Sequence, residues 1–215
     1  MHLTPFLKNK RHLIWDWNGT ILDDVNYAIG IINWMLGEQG LPAIGYERYR
    51  NIFDFPVKAY YDRLGFDYNR TSFESLCHLF VEKYMTNFHQ CAPFPHIENW
   101  LQEGRSTCDC QSILSATDQQ SLDTMIDHFD MAELFDFVCG TGNRLAQSKT
   151  DQGTLLMSKA GFARSDTLLI GDTLHDAEVA QSLGIDVVLV THGHHSPEKL
   201  GKAGVPLLPL YEWSL

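Results

Sequence analysis

A chain of 215 residues, 44% of them hydrophobic, suffices for one packed domain or for a core domain carrying a modest insertion. Its formal net charge of −11, without a Lys/Arg cluster, argues against a nucleic-acid partner. Five cysteines (Cys77, Cys91, Cys108, Cys110 and Cys139) show no disulfide rhythm, Cys108-Asp109-Cys110 is too tight for zinc, and no stretch has the apolar length of a signal peptide or a membrane span. The expectation is a reduced, cytoplasmic protein with no membrane partner.

In chain order, apolar runs without polar alternation predict strands at Leu13–Trp15, Ser112–Leu114, Phe135–Val138, Thr167–Ile170 and Asp186–Val190. Amphipathic stretches at Gln119–Phe129 and Thr150–Gly161 separate the later ones, which is the rhythm of an α/β fold with a Rossmann-like parallel sheet. From about Leu22 to about Cys91 the pattern is helical only: Tyr27–Gly37, Ile52–Leu64 and Ser72–Phe88. That block is too long for one crossover helix. It predicts a helical cap, residues 22–91, inserted after the first strand into a core of residues 1–21 and 92–215.

Ligands of open parallel sheets bind beyond the carboxyl ends of the strands. Those ends here carry Asp16, Ser115 and the run Gly171-Asp172-Thr173-Leu174-His175-Asp176, with Lys149 at the start of a later helix. Carboxylates at one place suit a hard cation and a nucleophile, and a hydroxyl with an ammonium suits phosphoryl oxygens. Each residue also has a plain structural use: Asp-X-Asn-Gly is a common turn, Ser115 suits a helix cap, and a single lysine is normally solvated. Asp23-Asp24 suits the start of the first cap helix, and His192, His194 and His195 suit a polar loop. Trp34, Met35, Tyr60, Tyr61, Phe80 and Tyr84 recur at helical spacing, as packing residues do.

Taken together and in this order, Asp16-Trp17-Asn18-Gly19-Thr20, Ser115, Lys149 and Gly171-Asp172-Thr173-Leu174-His175-Asp176 resemble the four motifs of the haloacid dehalogenase superfamily, and the chain is similar to its phosphoglycolate-phosphatase-like members with a helical cap. The resemblance implies a phosphatase that uses Mg2+ and forms an aspartyl-phosphate on Asp16. It implies a metal held by Asp16, the backbone carbonyl of Asn18, Asp172 and Asp176, and a phosphoryl group held by Thr20, Ser115, Ala116 and Lys149. The expected partner is a small phosphorylated metabolite, and the expected assembly a monomer or a small homo-oligomer.

At one position the chain departs from that pattern. The phosphatase branch carries a second Asp where this chain has Asn18, acting as general acid and then general base, and an amide cannot exchange that proton. Asn18 therefore stands among the catalytic candidates as a residue that slows turnover. Two alternatives accompany it: a carbon–phosphorus hydrolase resembling phosphonoacetaldehyde hydrolases, with Lys58 as the Schiff-base lysine, or a protein that binds phosphorylated ligands without cleaving them. Phe53, Phe55, Pro56, Lys58 and Tyr61 form a mixed aromatic and basic stretch of the cap, which favours an anionic or carbonyl-bearing small substrate over a long apolar one.

Overall fold

The computed structural model describes residues 3–142 and 149–209. In chain order, β1 (His12–Trp15) leads to β2 (Leu22–Asp23), the helices α1 (Val25–Glu38), α2 (Tyr46–Ile52), α3 (Val57–Leu64) and α4 (Phe73–Asn87), and β3 (Ala92–Pro93). There follow α5 (Ile97–Thr107), β4 (Cys110–Asp118), α6 (Gln119–His128), β5 (Phe137–Thr141), α7 (Thr150–Ala160), β6 (Thr167–Gly171), α8 (Leu174–Leu183), β7 (Asp186–Val190), α9 (Pro197–Leu200) and β8 (Leu207–Leu208).

The main sheet is parallel, in the order β5-β4-β1-β6-β7-β8. Its central strand β1 is buried along its whole length, because helices cover both faces. Side-chain alternation splits it between two cores: Leu13 and Trp15 join the larger one, shared with residues of α1 to α4, while Ile14 packs with Leu114, Leu156, Leu169 and Val179 on the opposite face. The chain order reverses on either side of β1, so the carboxyl ends of β1, β4 and β6 meet at a crevice.

Several elements differ from expectation for identifiable reasons. The helix expected over Ile52–Leu64 begins only at Val57, and Ile52 is the last residue of the preceding helix α2, because Pro56 biases Phe55 away from helical backbone and itself serves as the N-cap of α3. The strand predicted at Ser112–Leu114 runs on to Asp118, and Asp118, not Ser115, caps α6 by accepting from the Ser121 amide at 3.2 Å. The β4–β5 register shifts between Leu114 and Asp118, which releases Ser115, Ala116 and Thr117 from regular pairing at the crevice. Two-residue strands β2 and β3, too short to carry a hydrophobic period, pair antiparallel where the chain leaves and rejoins the main sheet. Between them α1 to α4 contribute one wall of a cavity whose other wall is formed by the strand ends. Among the described residues no helix is long and apolar enough to cross a membrane.

Candidate active site

Asp16 directly follows β1, and its amide donates to the Ile170 carbonyl at 2.8 Å, which fixes the carboxylate over the sheet. The chain then turns tightly: the Trp17 carbonyl accepts from the amides of Ile21 (2.9 Å) and Leu22 (3.0 Å). Gly19 is required in this turn on two counts. Its φ is +73°, and a Cβ there would lie 2.2 Å from Asp172 Oδ2. Thr20, expected against the phosphoryl group, is instead buried beneath the carboxylates, with its hydroxyl 3.3 Å from Asp16 Oδ2 and 3.4 Å from Asp172 Oδ1.

Asp172 and Asp176 arrive from the β6–α8 connection. Asp176 stands in the first turn of α8, where its Oδ2 accepts from the amides of Thr173 (2.9 Å) and Asp172 (3.2 Å) and from the Thr173 hydroxyl (2.7 Å). Lys149, at the start of α7, is almost wholly buried; its Nζ lies 2.6 Å from Asp16 Oδ1, 2.5 Å from Asp176 Oδ1 and 3.1 Å from the Leu114 carbonyl. Ser115 is buried and accepts from the Thr117 amide at 3.1 Å, and Ala116 lines the same cavity.

The charges of this cluster do not balance. Oxygen atoms of Asp16, Asp172 and Asp176 lie within 4.8 Å of one another. Burial pushes Asp16 up to about 6 despite Lys149, and pushes Asp172 well above the carboxylate range. Burial would raise Asp176 as well, but the Lys149 ammonium outweighs it and holds the group low. Three buried carboxylates facing one ammonium form an all-oxygen donor set short of positive charge, which fits a hard divalent cation such as Mg2+.

A second network surrounds Asn18, and the sequence did not point to it. Asn18 Oδ1 accepts from the Thr117 hydroxyl at 2.8 Å, while its Nδ2 donates to Asp24 Oδ2 at 2.8 Å and lies 2.9 Å from the Tyr84 hydroxyl. Asp24 sits at the N-cap of α1, yet its side chain makes no cap bond to that helix. It accepts instead from the Gly19 amide (2.9 Å) and the Tyr84 hydroxyl (2.6 Å), with His194 Nε2 3.2 Å away. Burial alone would raise the Asp24 carboxyl, but His194, Tyr84 and Asn18 hold it below the usual range. His194 in turn is carried up to about 9, since its carboxylate neighbours, Asp24 first, outweigh its burial.

The loop after β7 is buried, not the polar surface loop its three histidines suggest. The His194 amide donates to Asp172 Oδ2 at 2.6 Å, and its Nδ1 lies 2.8 Å from the Tyr49 hydroxyl. Arg50 of α2 clamps this loop by donating to the carbonyls of Gly193, Thr191 and His195, each at 2.7 Å. A Cβ at Gly193 would fall 2.1 Å from Asp172 Oδ2, so the backbone here presses directly on the acid. The histidine repeat with its interposed glycine was the available sequence signal for this loop. Arg50 carried none.

Lys58 is not brought into this site. It projects from α3 to solvent, pairs with Asp62 at 3.2 Å one helical turn away, and lies over the ring of Tyr68. The i,i+4 spacing of an exposed helix face explains that position, and it removes the Schiff-base candidate from the crevice.

Residues 13–190 match the family model of the haloacid dehalogenase-like hydrolases. The chain belongs to that family. A phosphoglycolate phosphatase of Pseudomonas putida is 24% identical over 193 residues, covering 86% of this chain and 71% of that one. A phosphoglycolate phosphatase of Synechococcus elongatus is 23% identical over 193 residues, covering 87% of each chain. A haloacid dehalogenase-like hydrolase from Streptococcus pneumoniae superposes with a TM-score of 0.80 over 95% of both chains at 18% identity, which extends the agreement to the whole fold. As a member of the haloacid dehalogenase-like family the chain is a hydrolase, and the relatives that align along most of its length are phosphatases.

Proposed function

We propose that this protein hydrolyses a small phosphate ester through an aspartyl-phosphate on Asp16. The observation that carries this reading is the single buried cluster of Asp16, Asp172, Asp176 and Lys149 at the strand ends, in a family of hydrolases. Mg2+ held by Asp16, Asp172, Asp176 and the Asn18 backbone carbonyl supplies, when bound, neutralisation of the carboxylates and of the phosphoryl oxygens. Lys149 orients Asp16 by holding Oδ1, which leaves Oδ2 to attack phosphorus as the bond to the ester oxygen breaks. Ser115 and the loop after it hold the phosphoryl oxygens, Thr20 steadies the carboxylates, and residues 22–91 close over the site as a lid that limits water.

Asn18 gives the leaving oxygen no proton, since a carboxamide is not an acid that exchanges one, and its Nδ2 and Oδ1 are bonded to Asp24 and Thr117. The proton then comes from solvent, and turnover falls most with basic leaving groups, for which general-acid help is worth about 10² to 10⁴-fold. Water hydrolyses the aspartyl-phosphate in the second step, again without a base at position 18, so phosphorylated enzyme accumulates. The test is rapid mixing with Mg2+ and 4-nitrophenyl phosphate. A burst of nitrophenolate is expected, together with a peptide containing Asp16 that gains one phosphoryl group, and both disappear in Asp16→Asn and in EDTA. Absence of phosphate release and of phosphoenzyme, with ligand still bound, refutes hydrolysis.

A further inference from the structure

We infer that the leaving group of the substrate is a compact, uncharged apolar alcohol, of the size of a benzyl or branched five-carbon group, rather than a carboxylate-bearing or polyhydroxylated one. This rests on the phosphate-ester reading above and concerns the half of the same cavity that faces away from Asp16.

The cavity holds about 180 Å³. An apolar cavity of roughly 150 Å³ takes up benzene, so a space of this order matches one small ring or a short branched group. Its two sides differ sharply in chemistry. One is the polar floor of Asp16, Asn18, Asp24, Lys149 and Asp172; the other is built by Phe53, Phe55, Tyr60, Phe80, Val81 and Met85. The aromatic part of that wall is a connected set: Phe53 meets Phe55 at 5.5 Å and Tyr60 at 5.2 Å between ring centroids, and Phe55 stacks on His175 at 4.6 Å.

Among the described residues this wall offers no free cation to an anionic tail. None of the six basic residues between positions 22 and 91 lines the cavity. Arg50 is spent on the loop carbonyls, Lys58 pairs with Asp62 outside, and Lys83 lies over the ring of Trp34. Among the described residues Lys149 is the one Lys or Arg on the lining, and it is bound to Asp16 and Asp176. Of the two histidines on the lining, His194 is already bound to Asp24 and Tyr49 and His175 is stacked on Phe55, so a carboxylate on the substrate would meet the acids Asp24 and Asp118 and a row of aromatic rings, losing its hydration without an unpaired cation among the described residues in exchange. A hydrocarbon group gains from that same surface. The relatives named for phosphoglycolate act on a substrate whose tail is a carboxylate, so this chain differs from their named specificity in chemical class.

The experiment separates binding from turnover. With Mg2+ present, the wild-type protein is titrated calorimetrically with benzylphosphonate and with phosphonoacetate, which carry the two kinds of tail on a bond that does not hydrolyse. Benzylphosphonate is expected to bind at least about tenfold more tightly, the lower end of what one matched methylene contributes in an apolar pocket. Equal or tighter binding of phosphonoacetate, or binding of neither, overturns the inference. In parallel, kcat/KM is compared for benzyl phosphate, 3-methylbutyl phosphate and 2-phosphoglycolate, alcohol esters without aryl activation, and the two apolar esters are expected to lead. Preferential binding of benzylphosphonate without hydrolysis of any ester refutes the hydrolase reading and leaves only the preference of this cavity for an apolar tail; hydrolysis led by 2-phosphoglycolate upholds the hydrolase reading and overturns the inference. Val81→Lys, which sets an ammonium into the apolar wall, should narrow or invert the preference, and an unchanged preference in a folded variant counts against this wall as the selector.

Discussion

A carboxyl placed at position 18 would stand against a charge already there. Asn18 Nδ2 donates to Asp24 Oδ2 across 2.8 Å, and Asp24 is held in its ionised form. Two carboxylates at that distance do not both ionise, so folding of Asn18→Asp forces a proton onto one of them. The new carboxyl can then donate where the amide did, and the penalty is capped by the cost of that protonation. With an ordinary carboxyl pKa near 3.9, the cap is about 4 kcal/mol at pH 7 and about 1.5 kcal/mol at pH 5. The sign follows from the raised folded-state pKa: the variant loses nothing below the unfolded pKa and becomes progressively less stable than wild type as pH rises above it. Urea unfolding in metal-free buffer at pH 5 and pH 7 reads this directly. Asn18→Asp combined with Asp24→Asn exchanges donor and acceptor, and its coupling energy at pH 7 should reach about 2 kcal/mol. A penalty equal at both pH values, or strictly additive single variants, refutes the account of this pair.

Four further outcomes are expected. Lys149→Met strands two buried carboxylates and should cost about 3–5 kcal/mol in unfolding free energy while abolishing phosphoenzyme formation; a variant of wild-type stability contradicts the ion-pair geometry. Gly19→Ala drives a methyl group onto Asp172 and strains a turn at φ +73°, so calorimetry should show Mg2+ binding lost, and retained affinity argues against the donor set. His194 has a raised pKa of about 9, so without metal its stabilisation is complete below its unfolded pKa of about 6.5 and declines as pH rises through 9, by up to about 3 kcal/mol. Denaturant midpoints across that window should fall in the wild type and stay flatter in His194→Gln. Lys58→Ala should leave ester hydrolysis unchanged, and a large loss would return that lysine to the mechanism.

The sheet was legible because strands covered on both faces are largely apolar, and short runs such as Leu168-Leu169-Ile170 admit little else, although the same strands also bury His12, Gln111, Ser112 and Thr167. Their order then brought Asp16, Lys149, Asp172 and Asp176 to one crevice without further information, since the carboxyl ends of parallel strands all face the same way. Elements held by pairing rather than by pattern were not legible. Strands β2 and β3 have two residues each, below any period, and α2 begins at Gly45-Tyr46, where no side-chain cap announces it.

Which side chains of α3 face the cavity was not legible for a related physical reason. Lys58 carries its ammonium to solvent beside Asp62, while Tyr61, a neighbouring position on the same helix, is buried in the cavity wall; composition of the stretch averages exposed and buried positions into one mixed surface. The network at Asn18 failed to show for the opposite reason, because most of its members are far apart in sequence: Asn18, Asp24, Tyr84, Thr117 and His194 come together only when α1, α4, β4 and the loop after β7 are folded onto β1. Seen singly, an amide in place of a general acid is a defect. Seen with Asp24, it is one side of a hydrogen bond that a second acid could supply only by keeping a proton, and Asp24 is itself the anchor of His194, whose backbone amide holds Asp172. An ionised carboxylate stands at position 24, where it holds the His194 ring, and the His194 backbone amide in turn donates to Asp172. On the proposed mechanism, an acid at position 18 can exchange a proton only when the charge at position 24 is removed, as in Asn18→Asp combined with Asp24→Asn, and not when a second charge is added beside it.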